Sequence, residues 1–185
     1  MDSRLNGLKQ YPRAMKPYVL TLYEIIRENK PEKVLEIGVQ NGISTKTILT
    51  AMGANGNGKL ISVDHKHRET ILDADFSDLK DRWKLIVGNS HDQNTITEVV
   101  ESLSEEEKFD ILFIDGDHKM PGIQQDWEAY TPLVKSGGII LMHDIINPNE
   151  EVSQVWDKIT WEKFAFTWGL ARNRIPVGFG IVRKP

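Results

Sequence analysis

The sequence predicts an α/β protein built on a doubly wound, mainly parallel sheet that ends in a C-terminal antiparallel hairpin. Three observations carry this expectation. Between Lys33 and Asp144, short apolar runs alternate five times with longer, amphipathic segments. Each apolar run turns polar at its C-terminal end, so the polar ends share one edge of the sheet. Two more strand-like runs, "KFAFTWGL" (163–170) and "VGFGIVRK" (177–184), flank Ala171 to Pro176 and read as the hairpin.

The elements follow in order. From Tyr18, "YVLTLYEIIREN" sets Val19, Leu22, Tyr23, Ile25 and Ile26 on one helical face. Lys33–Val39 is a buried strand behind Pro31, and a helix opens after Gly42 with Ser44 or Thr45 near its N-cap. Gly53–Gly58 is a turn-rich loop, Lys59–Asp64 a second strand, and a charged helix runs on to about Leu79. Trp83–Asn89 is the third strand, Asn94–Leu103 a helix, and Phe109–Asp115 the fourth strand. The helix from Ile123 packs Trp127 and Tyr130 on the sheet before Gly138–Asp144, the fifth strand. With the hairpin this makes seven strands. No repeat or linker interrupts the chain, which reads as one domain, 1–185, with an N-terminal arm and helix (1–30) and a core (31–185).

Bulk properties exclude several function classes. A net charge of −4 without a basic block argues against nucleic-acid binding. No run of eighteen apolar residues occurs, so no membrane span is expected. The absence of cysteine rules out disulfides and cysteine-ligated zinc and suits a cytoplasmic protein.

The polar strand ends carry the chemistry. The first holds Glu36, Gly38 and Gly42, where glycines admit a close ligand and a helix N-terminus offers free N–H groups. The spacing is Gly-x-x-x-Gly with Gln40 between, not the dinucleotide pattern, and no phosphate-loop Lys-Ser/Thr follows. Asp64, 22 residues beyond Gly42, is placed to accept ribose hydroxyls. A simple turn and a capping aspartate are the structural alternatives, but glycine loop and acid together specify a nucleoside. At the fourth end, Asp115, Asp117 and His118 surround a glycine. By strand alternation His143 faces away from Asp144 and is structural. His65 and His67 read as a solvated helix start.

"VLEIGVQNGIST" resembles the first motif of class I S-adenosylmethionine-dependent methyltransferases, and the likeness extends over nearly the whole chain, with its Rossmann-like sheet and terminal hairpin. The resemblance implies that Gly38 and Gly42 lie under the methionine part of S-adenosylmethionine, with Glu36 and Ser44 at its amino and carboxylate groups. It assigns Asp64 to the ribose and Asn89, Ser90 and His91 to the loop beside the adenine. Within the family, "IDGDH…W…Y…L…GGIILMHD" is similar to metal-dependent small-molecule O-methyltransferases of the macrolide-sugar and cephalosporin-hydroxylase-like group. That likeness implies Mg2+ at Asp115 and Asp144, Asp115 shared with the cofactor site, and His118 as the base. Asp117 would be a further ligand or an orienter. Catechol-type enzymes follow the second aspartate with a ligating Asn, whereas this chain has Ile145.

The chemistry agrees, because a hydroxyl is a poor nucleophile until a cation lowers its pKa and an imidazole takes its proton. The expected activity is therefore O-methylation of a small hydroxylated acceptor. A non-catalytic nucleoside-binding module is the alternative. No 2-His-1-carboxylate set is legible in the sequence, which argues against an iron oxygenase. Acceptor contacts are expected from the arm before Tyr18, from the loop after Asp144, and from "GLARNRIP" with Arg172 and Arg174. A homodimer lending a lid between subunits suits so short a chain.

Overall fold

The computed structural model describes residues 3–8, 15–170 and 174–185. Five parallel strands, β1 (Lys33–Ile37), β2 (Lys59–Asp64), β3 (Trp83–Val87), β4 (Phe109–Ile114) and β5 (Val134–His143), join the antiparallel β6 (Lys163–Leu170) and β7 (Pro176–Arg183). The order β3-β2-β1-β4-β5-β7-β6 reverses direction between β1 and β4, the switch point at which such sheets hold ligands. The helices are α1 (Ser3–Leu8), α2 (Val19–Asn29), α3 (Ile43–Asn55), α4 (Gln93–Glu101), α5 (Gly122–Tyr130) and α6 (Ser153–Trp156).

Alternation within the strands builds a core on each face. Ile111 and Phe113 of β4 pack with Leu22, Ile26, Ile48 and Leu49 of α2 and α3, while Leu112 and Ile114 pack with Val99, Ile123 and Tyr130 of α4 and α5. Each such side chain contributes about 1.5–3 kcal/mol on burial. Trp127 is partly buried on the second core and tilts against Trp161 at 5.6 Å between ring centroids.

Two local expectations are corrected. The stretch after β2 forms two 3-10 segments, Glu69–Ile71 and Ala74–Arg82, and Asp73 caps the second, its carboxylate accepting the Asp75 N–H. The N-cap of α3 is Gly42 in the left-handed conformation, with Ser44 and Thr45 already inside the first turn. The N-terminal arm is part of the core as well as a flank, since Leu5 and Leu8 of α1 are buried in it.

Tyr18 ties this N-terminal layer to the hairpin. Its hydroxyl donates to the Val177 carbonyl and accepts the Gly169 N–H at 3.0 Å, inside the register shift between Phe166 and Gly169. A Cβ on Gly169 would lie 2.4 Å from that hydroxyl, so only glycine fits. On the outer strand β6, Phe164, Trp168 and Leu170 are exposed. Among the described residues no helix is long and apolar enough to cross a membrane.

Tyr18→Phe removes the acceptor of a buried N–H and should lower unfolding free energy by about 1–3 kcal/mol. Urea unfolding checks this. A midpoint equal to that of the wild type would show that the hydroxyl does not hold the hairpin.

Candidate active site

The backbone ladder runs past the formal strand ends and aligns them. Gly38 N–H donates to the Val63 carbonyl (2.9 Å), Gly88 N–H to that of Asp64 (3.0 Å), and Asp115 N–H to that of Ile37 (2.8 Å). The loops that follow enclose a cleft of about 930 Å3, reached by Gly38, Asp64, Asn89, Asp115, His118 and Asp144.

The glycine loop is shaped by its neighbours. Gly38 has φ +92°, and a Cβ there would lie 2.1 Å from the Asp115 carbonyl oxygen, so packing of β1 against β4 itself demands glycine. Asp64 Oδ2 accepts the Val39 and Gln40 N–H groups at 3.0 and 2.9 Å, its Oδ1 accepts Lys66 N–H at 2.9 Å, and Arg68 Nε is 3.2 Å away. Burial works against its charge, but these backbone donors and Arg68 outweigh it and hold the carboxyl below its ordinary pKa. Asp64 thus clamps the loop while facing the cleft. Arg68, which also reaches the cleft, went unnoticed in the sequence because it looks like one of several charges in a polar stretch.

Ser44 borders the cleft, but Glu36 does not; it is fully buried beneath the loop. Its Oε2 accepts the Thr45 and Ser62 hydroxyls at 2.7 and 2.6 Å, and its Oε1 has no partner among the described residues. Burial raises its pKa to about 7, against the lowering effect of the Ser44, Ser62 and Thr45 hydroxyls.

On the far side, Asn89, Ser90 and His91 form a turn in which Asn89 Oδ1 accepts His91 N–H at 3.1 Å. The turn is held from α5, where the Tyr130 hydroxyl donates to the Ser90 carbonyl (2.7 Å) and the fully buried Asp126 has Oδ1 3.2 Å from His91 Nε2. Burial raises the pKa of Asp126. The signal for it was present in the sequence: an acid between Ile123 and Tyr130 on the apolar face of α5 needs a partner.

The remaining loops bring carboxylates and imidazoles together. His118 Nε2 is 3.1 Å from Asp115 Oδ1, and its Nδ1 is 3.7 Å from Asp144 Oδ2. Donor atoms of Asp115, His118 and Asp144 all lie within 4.8 Å of one another, a spacing suited to a metal ion. Asp117 stands apart from that group; its Oδ1 accepts Lys119 N–H at 2.9 Å and shapes the turn into α5.

His143 corrects the sequence reading. It points into the cluster, with Nδ1 3.3 Å from Asp115 Oδ1 and 3.1 Å from Asp144 Oδ2. Alternation holds for His143, which shares its face with Leu141 and, across the register, Asp115. It fails at Asp144, whose φ of +58° turns its carboxylate back towards the same side. Two imidazoles and two carboxylates therefore converge where the sequence showed one histidine. Asn147 joins them, its amide donating to Asp144 Oδ1 at 3.0 Å, two positions beyond Ile145.

The cluster's electrostatics are mutual. Burial would raise the pKa of Asp115, but His143 and His118 outweigh it and lower it strongly. Burial would lower His143, yet Asp115 and Asp144 raise it to about 10. His118 is also raised, with Asp115 overcoming burial.

Each segment expected to meet an acceptor reaches the cleft: Met15 from the arm, Asn147 and Glu150 from the loop after Asp144, and Ile175 from the hairpin. Arg174 is exposed and stays outside the cleft, and Arg172 lies outside the described residues. His65 and His67 are exposed.

Fold and cleft together define a class I methyltransferase. Residues 35–145, more than half of the chain, match the model of a methyltransferase domain, and the chain belongs to that family. It is an S-adenosylmethionine-dependent methyltransferase. No curated protein matches the sequence. Among solved structures it is similar to the O-methyltransferase from Bacillus cereus in complex with S-adenosylhomocysteine, at 16% identity over 100% of this chain and 92% of that one, with a TM-score of 0.73. It is also similar to TomG, the Streptomyces achromogenes O-methyltransferase of tomaymycin synthesis solved with S-adenosylmethionine (13%, 100% and 91%, TM-score 0.71). MycE of the mycinamycin pathway, solved with Mg and S-adenosylhomocysteine, aligns at 16% identity over 98% of this chain and 54% of its own, with a TM-score of 0.63. These three likenesses are of fold.

Two variants test the loop. Glu36 keeps its proton in the fold up to about pH 7, whereas the unfolded chain releases it near 4.5. The stability it confers is thus complete below pH 4.5 and lost as the pH rises to about 7. Relative to Glu36→Gln, the wild type should lose on the order of 3 kcal/mol across that interval. A pH-independent difference in urea stability would refute this. Gly38→Ala should cost about 3 kcal/mol or more by strain against the β4 backbone, seen as a lowered melting temperature even without ligand.

Proposed function

We propose that the protein methylates a hydroxyl oxygen of a small molecule, of sugar or natural-product type, with a divalent cation at Asp115 and Asp144. One observation carries this reading: Asp115, His118 and Asp144 gather their donor atoms within 4.8 Å of one another and line the same cleft as the loop from Gly38 to Asn41 and Asp64. The O-methyltransferases among the similar folds, one of them holding Mg, support it.

The residues fit both groups. A cleft of about 930 Å3 is at the upper end of the range for a single small ligand, leaving room for an acceptor beside the cofactor. The first N–H groups of α3 lack intrahelical acceptors and suit the cofactor's carboxylate beside Ser44. Asp64 presents one remaining acceptor site on Oδ1 to a ribose hydroxyl, and Asn89 and Ser90 border the adenine side. Glu36 acts from beneath, its orphan Oε1 holding polarity under the loop.

S-adenosylmethionine supplies an electrophilic methyl group, and a cation at the two carboxylates lowers the pKa of a hydroxyl. The chain does the rest. Asp115 Oδ1 holds His118 through Nε2, which leaves Nδ1 to receive the acceptor's proton. Asp115 also raises the basicity of His118. Met15, Asn147, Glu150 and Ile175 wall the acceptor and fix its approach, the main source of acceleration in a methyl transfer. The same reading places the protein in the cytoplasm and pairs it as a homodimer, for which the exposed Phe164, Trp168 and Leu170 on β6 offer an apolar surface.

His118→Ala should lower turnover about 10²–10⁴-fold with unchanged affinity for S-adenosylhomocysteine, whereas Asp64→Ala should abolish that affinity. Calorimetric titration and an acceptor screen check both. Firm cofactor binding without turnover on any hydroxylated acceptor would favour a binding module instead. Full activity after exhaustive chelation would remove the cation from the scheme.

A further inference from the structure

The side chain that the proposed chemistry leaves unused is His143. It is 2% exposed, yet both ring nitrogens lack a hydrogen-bond partner among the described residues. Nδ1 lies 3.3 Å from Asp115 Oδ1 and 3.1 Å from Asp144 Oδ2 but meets neither at a hydrogen-bonding angle. The ion pairs with the two carboxylates offset part of the cost of burying this imidazole, but no aligned hydrogen bond completes either ring nitrogen, and a group seated between Nδ1 and the two carboxylates would complete all three. The distances from His143 Nδ1 to the two carboxylate oxygens are those of neighbouring donors around one ion, because bonds of about 2.1 Å at right angles separate donors by about 3 Å.

We propose that His143 Nδ1 is a metal ligand alongside Asp115 and Asp144, and that the site takes a nitrogen-accepting divalent ion of the Mn2+, Fe2+, Co2+ or Zn2+ class in preference to Mg2+. This rests on the reading of Asp115 and Asp144 as a metal site. A set made only of oxygens suits Mg2+, a hard ion that keeps near-ideal octahedral geometry and several waters. One imidazole among the donors moves the preference towards borderline ions. His118 is the poorer third ligand, because its Nε2 is already hydrogen-bonded to Asp115 and its Nδ1 lies 3.7 Å from Asp144. It stays free to act on the acceptor's proton. The tight seat of His143 against the Tyr18 ring, edge-on at 6.0 Å, fixes the imidazole by packing where a hydrogen bond from Nε2 is absent.

The test uses the purified full chain and reads binding, not turnover. Co2+ is titrated by its visible absorption and Mg2+ by calorimetry, in wild type and in His143→Gln. Loss of the imidazole should lower Co2+ affinity at least about tenfold and leave Mg2+ affinity nearly unchanged, so that the ratio of the two falls. Because a buried substitution can disturb folding, the second measurement avoids it: Mn2+-loaded His118→Ala protein should still show electron spin-echo modulation from an imidazole nitrogen. An unaltered Co2+/Mg2+ ratio in His143→Gln, or no nitrogen coupling in the His118→Ala sample, would overturn the assignment while leaving a carboxylate metal site intact. Failure of the wild type to bind any of these ions would overturn both the assignment and the metal site beneath it.

Discussion

Ile114 of β4 stands opposite Met142 of β5, and that single register brings Asp115 beside His143 at the edge of the sheet. In a parallel pair, side chains at matched positions share a face, so a slip of one residue would send Asp115 into the other core. The register is held by two apolar layers at once, Ile111, Phe113 and Leu141 on one face and Leu112, Ile114 and Met142 on the other. The chemistry at the strand ends is thus positioned by hydrophobic packing beneath it.

The cluster survives burial by compensation. Two carboxylates near one another repel, and each loses hydration; the imidazoles of His118 and His143 offset both costs. Buried ion networks add little net stability compared with well-packed apolar side chains. A fold that keeps four ionisable groups at one point spends stability on a site, and the lining of the cleft by all four, together with Asp64 and the glycine loop, shows where.

The glycine-loop side of the cleft is built differently, in that the same residues hold the protein together and shape the cavity. Gly38 is required by the Asp115 carbonyl as much as by any ligand. Asp64 secures two N–H groups of the loop it faces, and Asp126 and Tyr130 fix the turn at Asn89–His91 from below. The two halves of the cleft meet through α5, since Asp126 contacts His91 and also accepts the Asp117 N–H at 3.4 Å. The position of the Asn89–His91 turn is therefore coupled to the loop that carries His118.

Short continuous apolar runs, their alternation with longer amphipathic segments, and turn residues determined the strands, their parallel direction and the terminal hairpin, because burial on both faces and the strand–helix rhythm are written locally. Strand ends likewise marked Gly38, Asp64, Asp115, His118 and Asp144, since ionisable residues just past a buried strand must gather at one edge. Helical pattern alone misjudged residues 65–82, where extended backbone at Leu72 and Asp73 breaks the stretch and Asp73 caps a separate 3-10 segment. Only the tertiary structure decided the place of His143 and Asn147. Strand alternation assumes extended backbone, and the left-handed turn at Asp144 breaks it, so that two adjacent side chains face one site. The partners of Asp126 and the burial of Glu36 depended in the same way on contacts between elements distant in the chain, which no local pattern encodes.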